Sequence, residues 1–252
     1  MEKASGAARR PRAGARPGRW HLGSSPHAPS PMTLRDFVTD HAQTPGGGAF
    51  QLEGRKTLEV KVDGMVWAKA GSMIAYRGEL AFRRSAGGAA RWLKKAFTGE
   101  GATTMRVEGR GLLYLADQGK ELHVLELGAG EALSVNGRDV LAFEESVSWD
   151  ITMMRRVAGM LGGGLFNMRL EGPGLIAFGT QGRPLVLQTP VVTDPQATVA
   201  WNAALSPELK TDLSLGALIG RTAGETFQMD FREPHGFVVV QPYESGGAGP
   251  AA

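Results

Sequence analysis

Over much of the chain, apolar and polar residues alternate one by one. Leu58, Val60 and Val62 bracket Glu59 and Lys61, Phe166, Met168 and Leu170 bracket Asn167 and Arg169, and Phe227, Met229 and Phe231 bracket Gln228 and Asp230. A period of two places one face of an extended strand in a core and the other in water. Dipeptides such as Asp63-Gly64, Gln118-Gly119, Asn136-Gly137 and Gln181-Gly182 punctuate these stretches and predict hairpin turns. Two short helices are predicted at 89–97 and 151–161, where apolar residues recur at helical spacing, and a third near 206–219. The expected class is all-β with short helical insertions.

The alternating stretches are copies of one unit. Met105-Arg106-Val107-Glu108-Gly109-Arg110-Gly111 recurs 63 residues later as Met168-Arg169-Leu170-Glu171-Gly172-Pro173-Gly174. A looser third copy runs from Met229 to Gly236, and Leu52-Glu53-Gly54-Arg55 is a truncated earlier one. An apolar run follows each: Leu112 to Leu115, Leu175 to Phe178, and Phe237 to Val240. A second element, an aliphatic residue, Ala and an aromatic, also occurs three times, as Ile74-Ala75-Tyr76, Leu141-Ala142-Phe143 and Val199-Ala200-Trp201. Several elements repeated in one order at one period mark an internal repeat. Gly109, Gly111, Gly172, Gly174 and Gly236 are read as turn or bulge positions of that repeat, where a side chain would clash. The C-terminal strand is expected to close the array against the first unit, which would remove exposed edges.

Composition narrows the picture. With 36 Gly and 14 Pro in 252 residues, about a fifth of the chain disfavours helix interiors. The absence of cysteine removes disulfides, thiol catalysis and thiolate metal sites. No apolar run is long enough to span a membrane as a helix, so an intracellular, cytoplasmic protein is expected. The chain carries 28 basic and 25 acidic residues, but six basic residues against Glu2 fall within 1–31, which leaves the body slightly acidic. That Arg- and Pro-rich stretch is expected to be a disordered basic tail. Three readings of it stand: an extension upstream of a start at Met32, a basic arm for nucleic acid or anionic lipid, and a targeting sequence.

Gly-Ser-Met-Ile-Ala-Tyr-Arg-Gly-Glu-Leu-Ala-Phe at 71–82, the basic predicted helix leading into a Gly-rich turn, and Glu-Gly-Pro-Gly-Leu-Ile-Ala-Phe at 171–178 resemble the altered-inheritance-of-mitochondria family over roughly 48–243. The resemblance implies three tandem β-sandwich units in pseudo-threefold arrangement, each like a subunit of the tryptophan RNA-binding attenuation protein. The family's mitochondrial members are linked to organisation of the inner membrane, and its bacterial members have no established activity. The expected division is a tail at 1–31, a leading segment with a Gly-rich linker at 32–49, units at 50–104, 105–167 and 168–243, and a second tail at 244–252.

The residues suggest no catalytic centre. His21, His27, His41, His123 and His235 form no paired spacing for a metal. Glu108, Glu171 and Glu233 recur with the repeat, but acid–base work needs carboxylates that converge in one cleft. No nucleophile elbow or phosphate loop is present, so no cofactor or metal is expected. The slightly acidic body is not expected to bind nucleic acid. Trp92 lies in the apolar stripe of the first predicted helix, and Arg91, Lys94, Lys95, Arg155 and Arg156 surround the stripes of the first two; together they form the candidate interaction patch, for a protein partner or an anionic membrane surface. The expectation is a non-enzymatic scaffold or interaction protein, with self-association open. The alternative is a module that binds small molecules or nucleic acid in crevices between the repeats.

Overall fold

The computed structural model describes residues 31–84, 104–153, 166–212 and 226–242. Two compact units divide the chain after Gln43. Among the described residues the first contains α1 (Leu34–Asp40), capped by the Thr33 hydroxyl, which accepts the amide of Asp36.

The second unit is built from antiparallel strands. One sheet runs in the order β3 (Met73–Arg84), β4 (Thr104–Leu115), β2 (Thr57–Lys69), β7 (Val140–Glu144), β10 (Gly174–Thr180), β5 (Glu121–Leu127), and β1 (Phe50–Glu53) pairs beside β2. A second sheet runs β11 (Leu185–Gln188), β16 (Phe237–Val240), β13 (Thr198–Asn202), β6 (Ala132–Asn136), β9 (Phe166–Glu171), β8 (Ser148–Met153). A third has three strands, β12 (Val191–Thr193), β15 (Thr226–Phe231) and β14 (Glu208–Asp212).

The sequence repeat has a counterpart in strand register. Tyr76, Phe143 and Trp201 stand opposite Leu113, Ile176 and Val238, and Ala75, Ala142 and Ala200 stand opposite Tyr114, Ala177 and Val239. The ladder then slips by one residue at Ile74, Leu141 and Val199, the aliphatic member of each motif. Such a bulge sends two successive residues toward one side. Val66, Leu133 and Val191 likewise oppose Val107, Leu170 and Phe231. One backbone hydrogen bond also recurs: the amides of Ala116, Gly179 and Gln241 donate to the carbonyls of Ser72, Asp139 and Ala197, at 2.9, 2.8 and 2.9 Å.

The motif divides its side chains between cores. Phe143 packs with Ile176, Met168, Leu170 and Val199 in the core shared by the first and second sheets. Leu141 and Ala142 belong to a different core, with Leu58, Val60, Val107 and Leu113. Ala68, Ala142 and Ala177 form a row of small side chains across β2, β7 and β10. In the third copy Val199 and Ala200 enter the first core, while Trp201 joins Phe231, Met229 and Val238 between the second and third sheets. Each buried Phe, Leu or Val side chain contributes about 1.5–3 kcal/mol.

Several sequence expectations need correction. Asp63-Gly64 is no turn: both residues lie inside β2, with Asp63 opposite Arg110 and Gly64 opposite Gly109. Residues 151–153 end strand β8, and 208–212 form β14, because pairing with β9 and β15 overrides the helical spacing there. The predicted helix at 89–97 lies outside the described residues, as do 154–161 and 213–219 of the other two, the first tail apart from Pro31, and the second tail. The C-terminal strand β16 does not close against the first unit. It lies inside the second sheet between β11 and β13, where its apolar run Phe237–Val240 is covered on both edges. Ladders also cross the boundaries at 104/105 and 167/168, joining β3 to β4 and β7 to β10.

Candidate functional site

An open strand edge distinguishes the first copy of the motif from the others. β7 lies between β10 and β2, and β13 between β16 and β6, so Leu141-Ala142-Phe143 and Val199-Ala200-Trp201 are buried. β3 pairs with β4 alone among the described residues. Its motif is correspondingly open, with Ile74 58% and Tyr76 48% exposed. Tyr76 meets Phe82 edge to face at 5.2 Å, so two aromatic rings line the twelve-residue strand. β12 is another edge, as are β5, β8, β11 and β14: among the described residues it pairs with β15 alone, and Val192 is 50% exposed. An edge strand as long as β3 presents unpaired amides and carbonyls that can accept another strand.

Glycine shapes the open strand. Gly109 and Gly111, expected as turns, lie in the middle of β4, and neither reverses the chain. A Cβ on Gly109 would stand 2.0 Å from the Glu79 carbonyl oxygen, and one on Gly111 2.0 Å from that of Arg77. The backbones of β3 and β4 approach as only glycine permits. Gly172 and Gly236 do lie in the turns before β10 and β16, and Gly174 opens β10.

The principal polar feature is a buried quartet. The Lys69 ammonium donates to Asp117 Oδ1 and to the Arg138 carbonyl, both at 2.7 Å. Lys120 donates to Asp139 at 2.7 Å, pairs with Asp117 Oδ2 at 2.9 Å, and reaches the same Arg138 carbonyl at 3.2 Å. Two cations thus face two anions across the end of β2, the β4–β5 turn and the β6–β7 turn. Burial pulls the Lys69 ammonium below its usual range despite its bond to Asp117. Burial also opposes the charge on Lys120, but Asp139 and Asp117 outweigh it and hold that proton more tightly than usual. Burial pushes the Asp139 carboxyl up against the pull of Lys120. The quartet ties three chain reversals together, and every charge in it has a partner.

The repeated carboxylates do not converge. Glu108 is held by Arg83 at 3.0 Å and Arg106 at 2.6 Å, Glu171 pairs with Arg169, and Glu233 accepts the amide of Ser206 at 3.1 Å. They belong to β4, β9 and the loop after β15. The pairs expose a signal that spacing alone did not: Arg106–Glu108 and Arg169–Glu171 occupy i, i+2 positions on one strand face, and Asp230–Arg232 is the same pair with its charges exchanged. Thr180 donates its hydroxyl to Gly182, so His123 Nε2 must carry the proton it shares with Thr180 Oγ1 at 2.8 Å. Burial lowers the affinity of that imidazole for a second proton, partly offset by Glu121. An open groove of about 610 Å³ lies beside β1 and β2, with Lys61, Asp63, Glu144 and Glu145 along it. Glu144 is already engaged there, accepting the amide of Leu175 at 2.8 Å.

The family model for mitochondrial biogenesis AIM24 matches residues 50–243, which span all the strands above. The chain belongs to the AIM24 family. No curated protein matches it. A crystal structure of a Streptococcus pyogenes protein from a structural-genomics programme is similar, with a TM-score of 0.58 and 19% identity over 77% of this chain and 92% of that one. At that identity the likeness speaks for the β fold, not for an activity.

For this AIM24 member, the structure leaves the expected patch unplaced: Arg91, Trp92, Lys94, Lys95, Arg155 and Arg156 all lie outside the described residues. No helix among the described residues is long and apolar enough to cross a membrane. Sequence reasoning missed the open edges of this AIM24 chain, because Ile74-Ala75-Tyr76 is as apolar as its two buried counterparts. The quartet was legible only in part: Lys69 occupies the place in the repeat held by Asn136 and Asp194, whose side chains accept the amides of Arg138 and Gln196 two residues on. An ammonium has no acceptor for such a turn, so Lys69 reaches across to Asp117 instead.

Proposed function

We propose that this AIM24-family chain is a non-enzymatic interaction protein that engages other polypeptides through its open strand edges. The observation that carries the reading is β3, a twelve-residue edge with Ile74 and Tyr76 about half exposed, where both other copies of the motif are buried. Contiguous apolar surface on a strand edge is what β-strand addition uses, with backbone bonds supplying affinity and side-chain pockets supplying specificity. The repeated carboxylates support a binding role over acid–base chemistry, since each is already bonded to an arginine or a backbone amide and the three lie on different elements.

Native mass spectrometry of the full chain, purified gently from cells that make it, tests the reading. The expected result is additional polypeptide mass at fixed stoichiometry, lost when Tyr76→Lys and Phe82→Lys are introduced together. A bare monomer carrying a few hundred daltons of extra mass would overturn it in favour of a small-molecule module. Polypeptide mass that survives the edge variant but is lost on changing Arg91, Lys94, Lys95, Arg155 and Arg156 to Glu would move the contact to the basic patch.

A further inference from the structure

The three-stranded sheet matches one half of its six-stranded neighbour. In the second sheet, β11, β16 and β13 form one half and β6, β9 and β8 the other, joined where Leu133, Ser134 and Val135 pair with Asn202, Trp201 and Ala200. The first sheet contains the same joint between Val66, Trp67 and Ala68 of β2 and Glu144, Phe143 and Ala142 of β7. In each joint, the strand that opposes Val107 or Leu170 hands its free edge to the motif strand of the next copy. The strand equivalent to these two is β12, whose Val191 opposes Phe231, and the motif strand left without a second neighbour is β3. Among the described residues, then, two joints are made, and the two edges that would make a third both stand open.

We propose that β12 and β3 make this third joint between two copies of the chain. Carrying the register over from the other joints sets Val192 opposite Tyr76, Val191 opposite Arg77, and Thr193 opposite Ala75. Val192 and Tyr76 are about half exposed, as groups that meet only on assembly must be. Both edges lie on every chain, so a pair related by a two-fold axis forms the joint twice and leaves neither edge open. Each joint is a ladder of three residue pairs, the size of the two already made within the chain. The proposal rests on the interaction reading above and names the partner as a second copy.

The chain contains no cysteine, so introduced thiols report without background. Directly opposed strand residues have Cβ atoms about 4.5–5.5 Å apart, close to disulfide range. Full-length Tyr76→Cys and Val192→Cys chains are mixed and mildly oxidised, each thiol losing its hydrogen to copper phenanthroline as the S–S bond forms. The mixture is expected to give a linked species of twice the chain mass, several-fold more than either variant alone. Circular dichroism checks that both variants fold.

A doubly substituted chain that links only within itself would overturn the proposal, since the joint would then close inside one molecule. Equal linking by Tyr76→Cys alone would also overturn it, by placing β3 against β3. No linking in the mixture, together with a wild-type chain that sediments as a monomer, would overturn it as well. The interaction reading outlives each of these results if native mass spectrometry still finds a second polypeptide that the Tyr76→Lys and Phe82→Lys variant loses.

Discussion

Replacing Gly109 by alanine is the sharpest test of how β3 and β4 fit together. Gly109 has φ of +128°, and a Cβ there would sit 2.0 Å from the Glu79 carbonyl oxygen and 3.1 Å from its carbon. Holding a side chain at such a φ costs about 1–3 kcal/mol. The carbonyl is main chain and cannot rotate away, so the ladder around the Leu80–Gly109 pair must open. Losing about two of its hydrogen bonds, at about 1 kcal/mol each, brings the expected destabilisation to about 3–5 kcal/mol. Two controls separate the terms. Gly54 has φ of +65° with open space around it, so Gly54→Ala should cost only about 1–2 kcal/mol. Gly47 has neither constraint, and Gly47→Ala should leave stability unchanged or raise it by up to about 1 kcal/mol. Urea unfolding followed by tryptophan fluorescence measures all three. A Gly109→Ala chain that unfolds at the same urea concentration as Gly54→Ala would refute the close-approach argument.

Other residues give further tests. Lys120→Ala strands Asp139 and leaves Asp117 with Lys69 alone, so a loss of about 3–5 kcal/mol is expected, against less than about 1 kcal/mol for Arg110→Ala, whose exposed partner is Asp63; urea midpoints compare the two. Leu141→Lys, at a site with no exposure, should prevent folding, whereas Ile74→Lys at the equivalent open position should keep the wild-type circular dichroism spectrum and stability within about 0.5 kcal/mol. His123 titrates below its usual value in the folded chain, so the unfolded chain gains a proton first as the pH falls. Its contribution is therefore present above about pH 6.5 and lost below that value, and His123→Gln should flatten the fall in thermal midpoint on the acid side.

The strands and their repetition were legible because both rest on local chemistry: alternation sets the buried face, and the motif's bulged aliphatic residue, small Ala and aromatic each suit a particular side of a sheet. The fused strands of the first copy were less visible, although one residue signals them. Pro173 and Pro234 have no amide to continue a ladder, so β9 and β15 end before them, whereas Arg110 has one and β4 runs straight through. Arg110 also pairs with Asp63 at 3.0 Å, in what reads locally as an Asp-Gly turn. Turn propensity is a short-range signal, and here the ladder across β2 and β4 overrides it. The quartet was hidden for another reason: Lys69, Asp117 and Asp139 come from three chain reversals far apart in sequence, and no spacing rule connects them.

The joints between copies also govern how the chain reaches its fold. Val66–Ala68 must find partners about 75 residues downstream, and Leu133–Val135 partners about 67 residues downstream. Contacts this distant in sequence close large loops before any stabilisation returns, so the mean contact order is high and folding belongs to the slow, millisecond-to-second regime. No single repeat carries its complete set of neighbours: excising residues 105–167 would take β7 from beside β2 and β6 from beside β13 together. The repeat is visible in the sequence, yet its copies are not separable modules. Evolution can vary each one residue by residue, but a recombination event that exchanges a whole copy must preserve the registers on both of its sides to yield a protein that folds.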